Sequence, residues 1–184
     1  CSLVGSEMCI RDRVYHVSKR EFDHGGTRRM GVKKSSADVF VMMTQDAMPK
    51  DDRLIEKLVE PLQGEVAVAY ARQLPREDST PVESYTREFN YPAKSRIKSA
   101  ADLDSLGIKT FFCSNVCAAY RREIYEELGG FVRHTIFNED MIYAAKVIEN
   151  EQKVYYNAKA RVIHSHNYNF ACLLYTSPSP RDCS

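Results

Sequence analysis

Apolar residues along this chain fall into short blocks separated by charged segments. Residues 39–43, VFVMM, are apolar without polar alternation, which predicts a strand buried on both faces of an α/β sheet. That block stops abruptly at Thr44, Gln45 and Asp46. Over residues 50–62, Leu54, Ile55, Leu58, Val59 and Leu62 recur at helical spacing with charges between them, predicting an amphipathic helix over the sheet that Gly64 ends. Residues 66–71, VAVAYA, read as a further buried strand. Upstream, residues 14–17 are a short strand candidate, and Thr27 is expected to open a helix whose solvated end is Lys33, Lys34, Ser35 and Ser36. This succession of strand, helix, strand, helix and strand predicts an α/β layer with mostly parallel strands.

The pattern loosens between residues 72 and 110, a polar stretch with three prolines that carries Tyr85, Phe89 and Tyr91 among Arg87, Lys94 and Arg96. A long excursion of this kind is expected either to bind a ligand, its aromatics stacking on sugar rings, or to lie on the surface anchored by those aromatics. Residues 111–120, FFCSNVCAAY, are a second apolar run, leading into a helix over 121–128 that Gly129 and Gly130 end. Residues 141–150 predict a helix with Ile142, Ala145, Val147 and Ile148 inward, and residues 153–156 and 160–163 two short strands.

The two ends stand apart. Residues 3–12, LVGSEMCIRD, and residues 172–181, CLLYTSPSPR, can be encoded by opposite strands of one DNA segment read in different frames. Both therefore resemble translated sequencing adapter, and residues 1–13 and 172–184 are set aside, leaving 14–171 as a partial domain. The ends carry three basic and three acidic residues, so the net charge stays at +1 and gives no electrostatic support for nucleic acid as a partner. Four of the six cysteines fall in these ends, and the remaining Cys113 and Cys117 lack a second pair to complete a zinc site. They are expected to be small buried side chains in a reduced, cytoplasmic setting. No signal peptide or apolar run long enough to cross a bilayer is present.

Candidate chemistry gathers where apolar runs end. Asp46 follows a strand, at the edge where open α/β sheets bind ligands, so it can hold a metal or sugar as well as open a turn. His24, Gly25, Gly26 and Thr27 precede Arg28 at an expected helix start, where close backbone and a cation can receive an anionic group. Asn138, Glu139 and Asp140 open the later helix, where a carboxylate serves as a cap and is held rigidly enough for a general base. His164 and His166 lie two apart on an extended segment, so both imidazoles can face one site, and imidazole with carboxylate suits Mn²⁺.

The order and spacing of FDHGGTRR, VFVMMTQDAMP, FFCSNVCAAYRREIYEELGGF, FNED and VIHSHNY resemble family 2 glycosyltransferases of the GT-A fold, in their rhamnosyltransferase-like branch. The resemblance implies a GT-A-like α/β fold with a mostly parallel sheet and flanking helices, of which the N-terminal nucleotide-binding strand and helix lie upstream of residue 14. This chain would then be inactive alone. It implies Asp46 as metal ligand with His164 or His166 as the second, and Mn²⁺ or Mg²⁺ as cofactor. Asp140 becomes the base beside Glu139, while His24, Gly25, Gly26, Arg28 and Gln45 lie with Asp46 near the donor. Gln45 and Ala47 flank a single acid where many relatives carry more, and Arg29 stands where Asn is expected.

The implied reaction is inverting transfer from a dTDP- or UDP-sugar to a glycan or lipid-linked acceptor in cell-surface polysaccharide synthesis. Its setting would be the cytoplasm, with peripheral attachment at the inner face of the membrane. Two alternatives stay open: a nucleotidyltransferase on a related sheet, and a carbohydrate-binding or assembly module without catalysis.

Overall fold

β-Branched and apolar side chains at residues 39–43 form a strand because both of its faces meet other apolar groups. In a computed structural model of the chain, which describes residues 14–18, 20, 22–135 and 137–165, helix α1 (His24–Lys33) leads to strands β1 (Val39–Met43) and β2 (Met48–Pro49). Helix α2 (Leu54–Val59), strand β3 (Val66–Leu74), helix α3 (Pro81–Asn90) and strand β4 (Arg96–Lys98) follow. Helix α4 (Leu103–Leu106) sits between 3-10 turns at Ala100–Asp102 and Gly107–Phe111. Strand β5 (Cys117–Arg121), helices α5 (Arg122–Glu127) and α6 (Glu139–Glu149) and strand β6 (Lys153–Ile163) complete the described chain.

The strands form one sheet in the order β1-β5-β3-β6-β2, with β4 also paired to β6. The α/β class is as expected, but the mostly parallel pairing needs correction. Only β3 with β6 is parallel among the described strands, and the other pairings are antiparallel. The excursion after β3 returns to the edge it left, so β5 starts there and runs back between β1 and β3. An apolar run reads the same in either direction, which is why the sequence pattern missed this. Strands β1, β3 and β6 still point the same way, so their carboxyl ends share one edge.

Alternation along the strands sends side chains to two cores. On one face Val68, Tyr70, Ala118, Tyr120, Val154 and Tyr156 meet Tyr143, Ala144, Val147 and Ile148 of α6. On the other, Ala69, Ala71, Ala119, Ala160 and Val162 receive Leu54 and Leu58 of α2 together with Leu62. Small side chains on that second face let the short α2 lie close. Aromatics dominate the first core: Tyr120 stands edge-on to Phe131 at 5.3 Å and to Tyr143 at 5.7 Å, and such pairs add about 0.5–1.5 kcal/mol beyond area burial. Cys113 and Cys117 are both buried thiols, as expected.

Several local expectations change. Residues 14–17 form no strand. Helix α1 starts before Thr27, because Asp23 caps it by accepting from Gly26 N at 2.9 Å. The two expected strands at 153–156 and 160–163 are one strand, β6, with a register shift between Ala71 and Arg72 of its partner; Ser95 Oγ takes the N–H of Ala158 there. On α6 the buried face is Tyr143, Ala144, Val147 and Ile148, and Ile142 is exposed. The excursion is mostly ordered structure: Tyr91 is core, while Tyr85 and Phe89 stack on each other at the surface.

Candidate active site

The common carboxyl edge of β1, β3 and β6 collects the candidate residues. Asp46 follows β1, Gln73 lies one residue from the end of β3, and His164 directly follows β6. Because β5 is antiparallel, the residues just before it, Ser114 and Asn115, reach the same edge. Thr44 N donates to Val116 O at 3.1 Å and His164 N to Leu74 O at 3.0 Å, extending the sheet up to the site. Ligand sites at such an edge are the rule for open α/β sheets.

Asp46 Oδ2 stands 3.3 Å from His164 Nε2, the carboxylate half exposed and the imidazole buried. The other ring nitrogen, Nδ1, lies 2.9 Å from Gln73 Oε1. Arg87 Nη1 also donates to that oxygen. A guanidinium only donates, so the atom facing it must be the amide oxygen, and that oxygen must accept from His164 Nδ1–H. The Gln73 amide NH₂ accordingly donates to Tyr91 OH at 2.5 Å and Ser114 Oγ at 2.9 Å. Arg87 is itself held by Glu83 at 2.7 Å. Nδ1 of His164 thus carries a proton, and Nε2 is the nitrogen that faces Asp46.

The second half of the edge is built on α6. Glu139 and Asp140 occupy its first turn, after Asn138 in the left-handed region at φ 66°. Glu139 is buried and committed: Arg28 pairs with it, and Asn115 Nδ2 donates to it at 3.1 Å. Asp140 differs. Its two oxygens accept from Asn115 N and Met141 N, each at 2.8 Å, and no cation lies at ion-pair distance among the described residues. Burial pushes its pKa up; the Asn115 N–H partly offsets this, and the neighbouring Glu139 charge adds to the rise. Tyr120 OH donates to Asn115 Oδ1 at 2.7 Å, tying this corner to the aromatic core.

Of the residues singled out from the sequence, Asp46 and His164 meet, and Glu139 and Asp140 share one carboxylate corner. Arg28 does not stand open to an anion but neutralises Glu139. Gly25 does approach backbone closely, though the backbone is the protein's own: a Cβ there would overlap the carbonyl oxygen of Val132. Gly26 is one of the N–H groups capped by Asp23. His24 packs edge-on to Phe22 at 5.0 Å, and Gln45 is exposed beside Asp46 in the turn. His166 lies outside the described residues, as do both terminal segments set aside above. Gln73 was not singled out, and Arg87 and Asn115 were given no place in the site; polar side chains interrupting the apolar runs, Gln73 after residues 66–71 and Asn115 within 111–120, were the available signal for two of them.

Among the described residues no three His, Cys, Asp or Glu side chains converge on a metal position. Asp46 and His164 are the pair that could hold one, offering one oxygen and one nitrogen donor, a set suited to Mn²⁺.

Residues 7–129 match Glycosyl transferase family 2, a match that begins inside the N-terminal segment set aside above. The chain is 48% identical over 160 residues to the O-antigen chain rhamnosyltransferase RfbN of Salmonella typhimurium, covering 84% of this chain and 50% of that protein. It is 44% identical over 154 residues to the O-antigen chain rhamnosyltransferase WbaN of Salmonella anatum, covering 83% and 49%. The chain thus spans about half the length of these curated relatives. Its fold is similar to that of the mannosyltransferase PcManGT from Pyrobaculum calidifontis, solved with GDP-Man and Mn²⁺, at TM-score 0.50 and 15% identity over 74% of this chain and 34% of that one. With the family's match covering most of the sequence, the chain belongs to glycosyl transferase family 2.

Proposed function

We propose that this chain carries the acceptor-activating and metal-holding parts of a sugar transferase. The donor is a nucleotide-diphosphate sugar, dTDP- or UDP-linked, and the acceptor a glycan or lipid-linked saccharide in cell-surface polysaccharide synthesis. The observation that carries the reading is the pair of unlike acids at one sheet edge: Asp46 facing His164 Nε2, and Asp140 held by two N–H groups with no cation at ion-pair distance among the described residues. The similarity to two O-antigen rhamnosyltransferases supports the polysaccharide setting.

Asp140 accepts the proton of the acceptor hydroxyl as it attacks the anomeric carbon. Its raised pKa brings a carboxylate closer to the operating pH, where proton acceptance is more effective. Glu139, neutralised by Arg28, fixes Asn115 and thereby the N–H that aims Asp140. A divalent ion, Mn²⁺ or Mg²⁺, held by Asp46 and His164 Nε2 would offset charge on the departing diphosphate. Attack opposite the leaving group in one displacement gives inversion.

His166 as a further ligand, Gln45 and residues 24–28 near the donor, and peripheral attachment at the cytoplasmic face of a membrane belong to the same reading. Among the described residues no helix is long and apolar enough to cross a membrane. The adapter origin of residues 1–13 and 172–184 is also part of it, and sequencing the source DNA across both junctions tests that directly.

The functional test joins residues 14–171 to their own upstream coding sequence and measures nucleoside diphosphate release from dTDP-, UDP- and GDP-sugars with and without Mn²⁺. Release that needs metal, and is abolished by Asp46→Ala and by Asp140→Asn, is the expected result. Metal-independent behaviour unchanged by either substitution would move the carbohydrate-binding alternative ahead.

A further inference from the structure

A cavity lies away from this edge, between the end of α3, strand β4 and the turn at Gly107–Phe111. Its volume is about 580 Å³, within the range of small-molecule sites. None of Asp46, Asp140 or His164 lines it. Two kinds of side chain dominate its lining. Tyr70, Phe89, Phe112 and Tyr156 supply aromatic surface, and Lys94, Arg96, Lys98 and Lys109 supply positive charge, with no carboxylate in the lining.

The cations lack acidic partners: among the described residues none of the four makes an ion pair. Lys98 is the unusual one. It is 3% exposed, its ammonium donates to the backbone oxygens of Phe112 and, at 3.4 Å, Lys109, and it stands 4.9 Å above the Tyr70 ring. The carboxylate whose charge acts on it, Asp102, is occupied by the N–H and hydroxyl of Ser99. Burial without a counter-charge pulls the Lys98 pKa down to about 8. Lys109 lies 3.5 Å above the Phe89 ring, leaving its charge at the cavity wall. A buried ammonium among aromatic faces, ringed by further cations, is stabilised by an anion with several acceptor oxygens.

We propose that this cavity binds a phosphate ester with a ring-shaped or apolar body, the phosphate meeting Lys98 and Lys109 and the body lying on Tyr70, Phe112 and Tyr156. Phosphate is favoured over a carboxylate because it presents three oxygens to cations arriving from separate elements, β4 and the 3-10 turn. The ester's body could come from a soluble sugar phosphate or from a lipid headgroup, since both share this chemistry. Occupancy would bear on the other site through the chain itself, because Phe112 lies three residues before Asn115, whose N–H holds Asp140. The proposal stands on the cavity alone, so a failure of the transferase reading leaves it intact.

The test is calorimetric titration of this chain with 1-naphthyl phosphate, with 1-naphthol and inorganic phosphate as separate comparators. The expected result is that the ester binds at least ~10-fold more tightly than either comparator, and that Lys98→Met weakens it by ~10-fold or more, as loss of one charge-assisted contact requires. Should Lys98→Met fail to fold, Lys109→Gln at the exposed wall reads the same effect. Glucose 1-phosphate and phosphatidylglycerol vesicles then separate the two sources, and Lys98-dependent binding of either supports the site. Equal affinity for 1-naphthol, affinity unchanged in both lysine variants, or loss of binding in Asp46→Ala instead would overturn it.

Discussion

Gln73 Oε1 lies 2.9 Å from His164 Nδ1 while also accepting from Arg87, so one buried amide sets which nitrogen of the histidine faces Asp46. The consequence is a division of labour along β3 and β6: the sheet carries the histidine to the edge, and the excursion helix, through Arg87, fixes the proton on its Nδ1. Groups that orient a metal-binding imidazole typically affect affinity 10- to 100-fold. Gln73→Leu is therefore expected to weaken Mn²⁺ binding by about 10-fold or more, read by electron paramagnetic resonance. Gln73→Glu, which keeps an acceptor for Nδ1–H and Arg87, should restore most of it. Nitrogen-15 shifts of the metal-free protein should report a proton on His164 Nδ1; a bare Nδ1 would contradict the relay.

Asp140 is a buried carboxylate whose charge costs the fold stability. Its pKa is raised chiefly by burial, so its ionised form is disfavoured in the folded state. The contribution to folding is complete below the usual carboxylate range and is lost as pH rises through the raised folded value. Asp140→Asn keeps an oxygen for the Asn115 N–H and removes the buried charge. The variant should melt at higher temperature than the parent at pH 7 and lose that advantage in acid, while transfer falls about 10²- to 10⁴-fold, the usual worth of a positioned base. A melting temperature that drops at pH 7 would show the carboxylate to be structural.

Two glycines of α1 separate packing from propensity. A Cβ on Gly25 would overlap the Val132 carbonyl, whereas one on Gly31 meets nothing within 4 Å. Gly25→Ala should destabilise the protein by about 1–3 kcal/mol through overpacking, and Gly31→Ala should stabilise it by about 0.5–1 kcal/mol through helix propensity. Urea unfolding of the two variants measures both. If Gly25→Ala is neutral, the contact between α1 and residue 132 is looser than it stands.

Gly25 and Gly26 also mark how far the sequence could be read. A Gly-Gly turn beside a histidine signals close backbone approach, but nothing local says whether a ligand or the protein's own carbonyl arrives there. Asp46 and His164 were legible because each ends an apolar run, and chain order alone puts strand ends at one edge. Asp140 was legible as a rigid acid at a helix start. Its distinction from Glu139 was not, since it depends on Arg28, 111 residues away along the chain. Gln73 was hidden for the same reason: its partners, Arg87, Tyr91, Ser114 and His164, come from three later segments. The direction of β5 escaped because apolar blocks carry no polarity along the chain.

Lys98 gives a sharp dependence on pH. Burial lowers its pKa from 10.5 to about 8, so the unfolded chain binds more protons than the folded one between those values. Its contribution is present in full above 10.5 and is lost as pH falls through about 8. A depression of that size corresponds to at most about 3 kcal/mol at neutral pH, at 1.36 kcal/mol per unit, less the hydrogen bonds to Phe112 and Lys109 that a substitution forfeits. Lys98→Met should therefore be the more stable protein at pH 7, with the difference shrinking as pH rises from 8 to 10.5. Burial pushes Cys113 and Cys117 up to about 12, and the Lys98 charge pulls Cys113 partly back, so the comparison is cleanest from pH 7 to 9, where both thiols keep their protons. Chemical unfolding of the two proteins across that range gives the difference curve. A flat difference would mean that the ammonium already has a counter-charge, and that the cavity beside it has no need of an anion.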